Sequence, residues 1–221
     1  MEPEEMAKME PSKVASDLMD ELINYCVNAF DYYECMANAM EGLDKVIYDY
    51  LIPSGYRVNP EIEEAINNSD TFRDEVEKEF KEMLNDFWAR TLAVELNNVL
   101  KSQYEEITDN NALSNSCKAR LLKAYEKALE EFRDAIKRAL QERKPLSKKD
   151  LYNWFTELGD IVFGGKEPDY DVSPDFVLDY YDMLDDNGKL EMLSFSLYYI
   201  DDMLHYIKQK LSELEALTNK S

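Results

Sequence analysis

Histidine is almost absent from this chain of 221 residues, and its scarcity excludes several kinds of catalytic site. The one histidine, His205, cannot supply the paired Glu-x-x-His motifs of di-iron helical bundles. We find no Ser/His/Asp or Cys/His combination whose spacing indicates nucleophilic catalysis. Gly164-Gly165-Lys166 is not a phosphate-binding loop, because Asp160 stands where that motif needs its first glycine. The residue types therefore favour binding over catalysis.

Cysteine is also scarce: the chain contains Cys26, Cys35 and Cys117, and no Cys-x-x-Cys pair. Cys26 and Cys35 fall within one predicted helix, where a rise of about 1.5 Å per residue would hold them too far apart for a disulfide. We therefore expect no disulfide between them. Such cysteine usage is typical of a reducing cytoplasm.

Long apolar runs are missing as well. No uninterrupted apolar stretch approaches the roughly 20 residues that a membrane-spanning helix needs. Residues 1–12 contain four glutamates and no apolar core, so we expect a flexible acidic N-terminus rather than a signal peptide. Both absences favour a cytoplasmic protein.

Alternation of polar and apolar residues, which is typical of β-strands, is not evident in the chain. Apolar residues instead recur every three to four positions, which predicts an all-α bundle of about six or seven helices, several of them long. The first helix should run from Ser12 to just before Pro53, with Phe30 and Tyr33 on its apolar stripe and Gly42 as a potential break. We expect residues 13–221 to form one helical domain, with 108–116 and 164–173 as alternative positions for a sub-boundary.

Several later helix ends carry recognisable signals. Pro60 suits the first position of a short helix that ends near Asn68. A second long helix is expected from about residue 72 to residue 107, followed by a basic helix. Ser147 and Asp150 resemble a capping box, and Gly164 should end the helix that they begin.

Acidic residues greatly outnumber basic ones, at 47 Asp and Glu against 25 Lys and Arg, which leaves a formal net charge of -22. A charge of this sign repels nucleic acid and anionic membranes and attracts basic protein surfaces. The imbalance is uneven, because residues 117–149 carry a local excess of basic side chains. Such a basic helix can steer a partner, or it can pack beside acidic helices of the same bundle.

A row of aspartates lies in and just before a short predicted helix. Ser173 and Pro174 should start this helix, which should end at 186–188. Spacings of three and four residues place most of the row on one helical face, where like charges repel, so helix stability does not explain the row. A line of carboxylates can imitate a phosphate backbone, whereas a solvated acidic face is the simpler interpretation. The candidate binding residues, with two tyrosines as anchors, are Asp171, Asp175, Asp179, Asp182, Asp186, Tyr170 and Tyr181.

The last helix shows the most regular pattern of the chain, with leucine and isoleucine at alternating spacings of three and four residues. This heptad-patterned seam can pack on the long helices of the same chain, or its C-terminal half can pair with a second copy in a homodimer. The residues of the candidate oligomer seam are Leu204, Ile207, Leu211 and Leu214.

Two acidic fragments in the middle of the chain suggest an enzyme instead. Glu157-Leu158-Gly159-Asp160-Ile161 resembles the second acidic motif of the all-α nucleotide pyrophosphohydrolases, the MazG and dimeric dUTPase group, and residues 131–136 are similar to a degenerate first motif. The resemblance implies that Glu131, Asp134, Glu157 and Asp160 bind Mg²⁺ and that the metal assists nucleotide hydrolysis, since Mg²⁺ prefers oxygen ligands.

The sequence therefore supports one leading hypothesis and two alternatives. The leading hypothesis is an acidic, non-catalytic protein-binding module without a cofactor, which occupies a basic surface of a nucleic-acid-binding protein as an inhibitor or decoy. The alternatives are a Mg²⁺-dependent nucleotide pyrophosphohydrolase and a coiled-coil assembly protein.

Overall fold

The computed structural model of this protein describes residues 10–165 and 173–220. These residues form helices joined by turns, with no β-strand among them, which confirms the predicted all-α class. A 3₁₀ turn at Ala39–Glu41 and a π-helical segment at Lys45–Leu51 follow the second helix. The α-helices are α1 (Pro11–Val27), α2 (Tyr32–Asn38), α3 (Pro60–Asn68), α4 (Asp70–Thr108), α5 (Asn115–Glu142), α6 (Lys148–Phe163), α7 (Asp175–Tyr181) and α8 (Asp186–Thr218).

The chain divides into two compact units, residues 1–87 and residues 88–221. The division falls inside α4, at neither of the positions that composition and turn signals suggest. The expectation that residues 13–221 form one domain stays a prediction. None of the helices within residues 10–165 and 173–220 is long and apolar enough to cross a membrane.

The first predicted helix is wrong in its extent, because it is interrupted after Val27. The Asn28 side chain donates to the Asn24 carbonyl oxygen at 3.0 Å and closes the end of α1. The Asp31 carboxylate then accepts a hydrogen bond from the Glu34 backbone N–H at 3.0 Å and caps the start of α2. These capping interactions override the apolar periodicity, and they place residues 28–31 in a turn between two helices.

The break also brings two cysteines together. Cys26 lies at the end of α1 and Cys35 in α2, their Cα atoms are 5.6 Å apart, and they form a disulfide. The expectation that these cysteines cannot pair is therefore wrong, because it assumed one continuous helix through both. The inference of a reducing compartment from cysteine usage loses its support for the same reason.

The first unit has its core where α1, α2 and the π-helical segment meet. The Tyr25 and Tyr50 rings stack at 4.8 Å between their centroids, which joins α1 to the π-helical segment. Arg73 of α4 donates to the Asp44 carboxylate at 2.6 Å. The largest fully buried side chains of this unit are Phe80, Leu22, Met36, Leu43, Ile47, Leu51 and Leu84.

The second unit is organised by α5 and α8, which pack against each other along much of their length. Helix α6 packs on α5, and α7 packs on α6. The Tyr125 hydroxyl of α5 donates to the Gln103 side-chain oxygen of α4 at 2.8 Å, in the buried interior. The buried residues contributed by α8 include the predicted seam, so this pattern serves the protein's own core.

Helix ends in the second unit follow the sequence signals closely. Ser147 and Asp150 form the expected capping box, since each side chain accepts a hydrogen bond from the other's backbone N–H. Gly164 adopts a left-handed conformation, with a φ of 62°, and ends α6. The row of aspartates departs from expectation: α7 ends at Tyr181, and Asp185 caps a new helix that begins at Asp186.

Removing the disulfide tests how much it stabilises the first unit. We expect Cys26→Ala with Cys35→Ala to lower the free energy of unfolding by about 2–3 kcal/mol, because the bond closes a short loop and restricts the unfolded chain. Denaturant unfolding followed by circular dichroism measures the change. Cys117→Ala is the control, since Cys117 is not in a disulfide. Equal midpoints for the double variant and the native chain would contradict the expected role.

Gly42 provides a second test of the first unit. Its φ of 132° is a conformation that other residues rarely adopt, and an added Cβ would meet the Glu77 carboxylate at 3.0 Å. We expect Gly42→Ala to cost about 1–3 kcal/mol in unfolding experiments. Gly55→Ala is the matched control, because Gly55 also has a positive φ but has open space around it. Equal losses for both variants would show that the contact with Glu77 contributes nothing.

Candidate protein-binding surface

The aspartate row does not form one continuous helical face. Asp175 and Asp179 lie one turn apart on α7, Asp182 follows the end of that helix, and Asp186 begins α8. All four side chains are exposed. Asp182 forms an ion pair with Lys189 at 3.2 Å, which leaves it less available to a partner. Asp171 and Tyr170 lie outside the described residues.

Tyr181 is not an accessible anchor, which corrects the sequence prediction. Its side chain is fully buried, and its hydroxyl donates to the Leu146 carbonyl oxygen at 2.6 Å. Burial, with the nearby carboxylates of Asp182, Asp150 and Asp186, raises the pKa of Tyr181 well above its usual range. Tyr181 therefore holds α7 to the turn before α6.

The neighbouring aromatic residues also serve packing. The Tyr180 ring stacks on the Trp88 ring at 4.9 Å and meets the Phe176 ring edge-on at 5.0 Å. These contacts attach the other side of α7 to the part of α4 that belongs to the second unit. Of the predicted binding residues on α7, the exposed aspartates Asp175 and Asp179 are accessible to a partner.

The residues of the proposed metal site do not converge. Within residues 10–165 and 173–220, no three histidine, cysteine, aspartate or glutamate side chains lie close enough to hold a metal ion. Glu131, Asp134, Glu157 and Asp160 are all exposed, and the Arg133 side chain is in contact with the Asp134 carboxylate at 3.4 Å. Glu131, Asp134, Glu157 and Asp160 therefore do not form the metal site that the resemblance to nucleotide pyrophosphohydrolases implies.

The candidate oligomer seam is buried within the chain itself. Leu204, Ile207, Leu211 and Leu214 are each at most 8% exposed, and the helix that carries them packs against α5. A seam that is already covered offers no surface to a second copy. Internal packing therefore accounts for the heptad pattern, and a dimer through these residues stays a prediction.

The basic segment is partly neutralised inside the second unit. Lys123 of α5 pairs with Glu215 of α8 at 3.3 Å, and Lys208 of α8 pairs with Glu130 of α5 at 3.8 Å. Arg133 reaches Asp201 at 4.0 Å. These exposed pairs add little stability individually, but they match a basic helix to an acidic one. This arrangement agrees with the interpretation that the basic helix packs beside acidic helices of the same bundle.

The uncompensated negative charge is concentrated in the first unit. Residues 1–87 contain 22 acidic and 7 basic side chains, a net charge of -15, whereas residues 88–221 contain 25 and 18, a net charge of -7. The first unit is the shorter of the two, so its charge density is more than three times as high. A basic partner is therefore attracted more strongly to the first unit than to the second unit, which carries the aspartate row.

A fully exposed aromatic residue lies in that unit. Phe30, in the turn between α1 and α2, is 109% exposed, and the flanking Val27 and Tyr33 are 64% and 36% exposed. We call these three residues the apolar tip. The sequence pattern misassigned Phe30 and Tyr33 to a buried stripe. Asn28 and Asp31 are residues that commonly end or cap helices and could have indicated the turn.

Two of the shallow clefts on the described surface lie near aromatic side chains. In the first unit, a cleft of about 400 Å³ lies beside the turn between α1 and α2 and is lined in part by Glu21, Asn24, Asn28 and Ala29. In the second unit, a groove of about 480 Å³ is lined by Arg90, Val94, Ser194, Phe195, Tyr198 and Tyr199. The Arg90 guanidinium lies over the Phe195 ring at 4.4 Å, so the cation of this groove is engaged internally.

The structural role of Tyr181 generates a pH prediction. Because the folded state keeps the phenol protonated above its usual pKa of 10.0, unfolding releases a proton at higher pH. The stability contributed by Tyr181 is therefore complete below about pH 10 and falls as the pH rises further. Tyr181→Phe should cost about 1 kcal/mol at neutral pH and should reduce the additional loss above pH 10, as measured by denaturant unfolding at both pH values. An unchanged alkaline loss would contradict this assignment.

Comparison of the chain with protein families, with curated proteins and with solved structures gives no match. Its function is therefore inferred from the chemistry of its own surface.

Proposed function

We propose that this protein is an acidic, non-catalytic protein-binding module whose partner presents a basic surface. The observation that carries the proposal is the excess of negative charge in residues 1–87, a net charge of -15. Asp17 and Asp20 of α1 and Glu34 of α2 are exposed members of this set. Folding does not require such an excess, because self-repulsion of like charges destabilises a compact chain.

The excess charge suits recognition over a distance. Exposed carboxylates attract a basic partner before contact and raise its association rate, and salt weakens this attraction once the Debye length falls to about 10 Å at 0.1 M. Arginine and lysine side chains that contact phosphate also form charge-assisted hydrogen bonds with carboxylates. A basic groove that normally holds nucleic acid is therefore a suitable target, and the module would act there as an inhibitor or decoy.

Affinity capture tests the nature of the partner. We expect the immobilised full chain to retain a basic protein from an extract of its source cells, and duplex DNA or RNA to compete with that retention. Release by nucleic acid at constant ionic strength would support the decoy role, because it requires a shared site. A partner that is neutral or acidic would contradict the proposal, and a basic partner indifferent to nucleic acid would remove the mimicry alone.

Two matched variants locate the charged interface. One carries Asp17→Asn, Asp20→Asn and Glu34→Gln in the first unit, and the other carries three changes on or after α7, namely Asp175→Asn, Asp179→Asn and Asp182→Asn. Both raise the net charge by three. We expect the first variant to slow association with the captured partner by about threefold to tenfold at low salt, and the second to slow it less.

Stopped-flow or surface-binding kinetics across a salt series measures this difference. Circular dichroism should show both variants folded, since every changed side chain is exposed. The reverse order would place the interface on α7 instead. Rates that are insensitive to both variants and to salt would contradict a charge-led interface anywhere on the protein.

A further inference from the structure

Two hydrogen bonds and a disulfide hold the turn that carries Phe30 in place. Asn28 is hydrogen-bonded to the end of α1, and Asp31 caps α2, so both ends of the turn are fixed. The Cys26–Cys35 disulfide joins the two helices at the base of the turn, and both cysteines are buried. A turn fixed in this way loses little conformational entropy on binding, which favours affinity.

Packing among residues 10–165 and 173–220 does not explain the complete exposure of Phe30. A phenylalanine side chain gains about 1.5–3 kcal/mol when it is buried, and Phe30 gains none of this within the described protein. Val27 and Tyr33, three residues before and after Phe30, are exposed as well. Aromatic residues that project from a rigid support commonly serve as anchors in protein interfaces, because a pocket on the partner can desolvate them completely.

The charge around the tip is entirely of one sign in the sequence. Residues 14–44 contain seven carboxylates and no lysine or arginine. Asp31 and Glu34 are exposed next to Phe30, and Glu21 lines the cleft of about 400 Å³ beside the turn. An apolar centre with an anionic border disfavours insertion into an anionic membrane, and it complements an apolar pocket bordered by cations.

From these observations, which rest on the proposed function, we infer that the apolar tip is the anchor of the interface and that its occupant is a protein surface with an apolar pocket bordered by lysine or arginine. Phe30 enters the pocket, with Val27 and Tyr33 against its edge. A partner cation reaches Glu21 in the neighbouring cleft. The anchor adds a specific contact to the interface, whereas attraction between charges alone would not fix the orientation of the two proteins.

Three synthetic peptides test the tip without knowledge of the natural partner. The first is an amphipathic Lys/Leu helix, the second replaces its leucines by serine, and the third replaces its lysines by glutamine. We expect the full chain to bind the first peptide most tightly in fluorescence anisotropy titrations. Phe30→Ser should weaken that binding about tenfold and reduce it to the level of the second peptide. Tyr152→Ser is the matched control, because Tyr152 is an exposed aromatic residue of the second unit.

Phe30→Trp gives a second, independent measurement. This variant should keep the affinity for the first peptide, and the indole should shift its emission to shorter wavelength and become shielded from acrylamide when the peptide binds. Replacing both Cys26 and Cys35 by alanine should weaken the same binding, since the turn then loses the bond at its base. Circular dichroism establishes that each variant is folded.

The outcomes distinguish failure of the tip as an anchor from failure of the proposed function. If Phe30→Ser binds the first peptide as tightly as the native chain, the tip is not the anchor, although binding of the second peptide would still support an acidic module. If neither lysine-containing peptide binds, both proposals fail. Equal binding of the third peptide would remove the basic border from the description of the partner.

Two further results would replace the inferred occupant. A shift of the Phe30→Trp emission on addition of phosphatidylcholine vesicles alone would indicate a lipid surface. A native dimer in sedimentation experiments that Phe30→Ser converts to a monomer would indicate a second copy of the chain. Either result would overturn a cation-bordered protein pocket as the occupant.

Discussion

Repulsion among carboxylates is the constraint that shapes this protein. With a net charge of -22, a compact fold must keep its acidic side chains in water or place cations beside them. The second unit uses cations: α5 carries seven of its 18 basic side chains, and ion pairs such as Lys123–Glu215 and Lys208–Glu130 connect it to α8. The first unit mainly uses exposure, and it keeps a high density of negative charge on its surface. The two units solve the same problem in different ways, and the first unit retains the larger net charge.

The sequence predicted the regular helices well. Apolar periodicity and capping residues located α3, α4, α5 and α6, because in these segments local preference and tertiary packing agree. The segment before Pro53 was predicted poorly. There, the apolar period continued through residues 28–31, whereas Asn28 and Asp31 formed side-chain hydrogen bonds that stop one helix and start the next. Periodicity describes which face a residue would occupy in a helix, but it does not establish that the helix continues.

The candidate site could be predicted only in its general character. Acidity was evident from composition, but contacts between distant segments determine which carboxylates are accessible to a partner. Tyr181 and Tyr180 look alike in sequence as a pair beside aspartates, yet one bonds to Leu146 and the other stacks on Trp88. The heptad leucines of α8 similarly suit a partner helix, and the sequence does not say whether that helix belongs to the same chain. α5 takes that role through packing along much of its length.

The disulfide at the base of the apolar tip also changes how the chain would respond to a protease. Phe30 lies inside the covalent ring closed by Cys26 and Cys35, and it is the most exposed large hydrophobic residue described. A protease that prefers aromatic residues would find its target there. Cleavage after Phe30 would break the peptide chain without releasing a fragment, since residues before the cut would remain joined to Cys35 through sulfur. The protein would then carry a nick that is visible only after reduction.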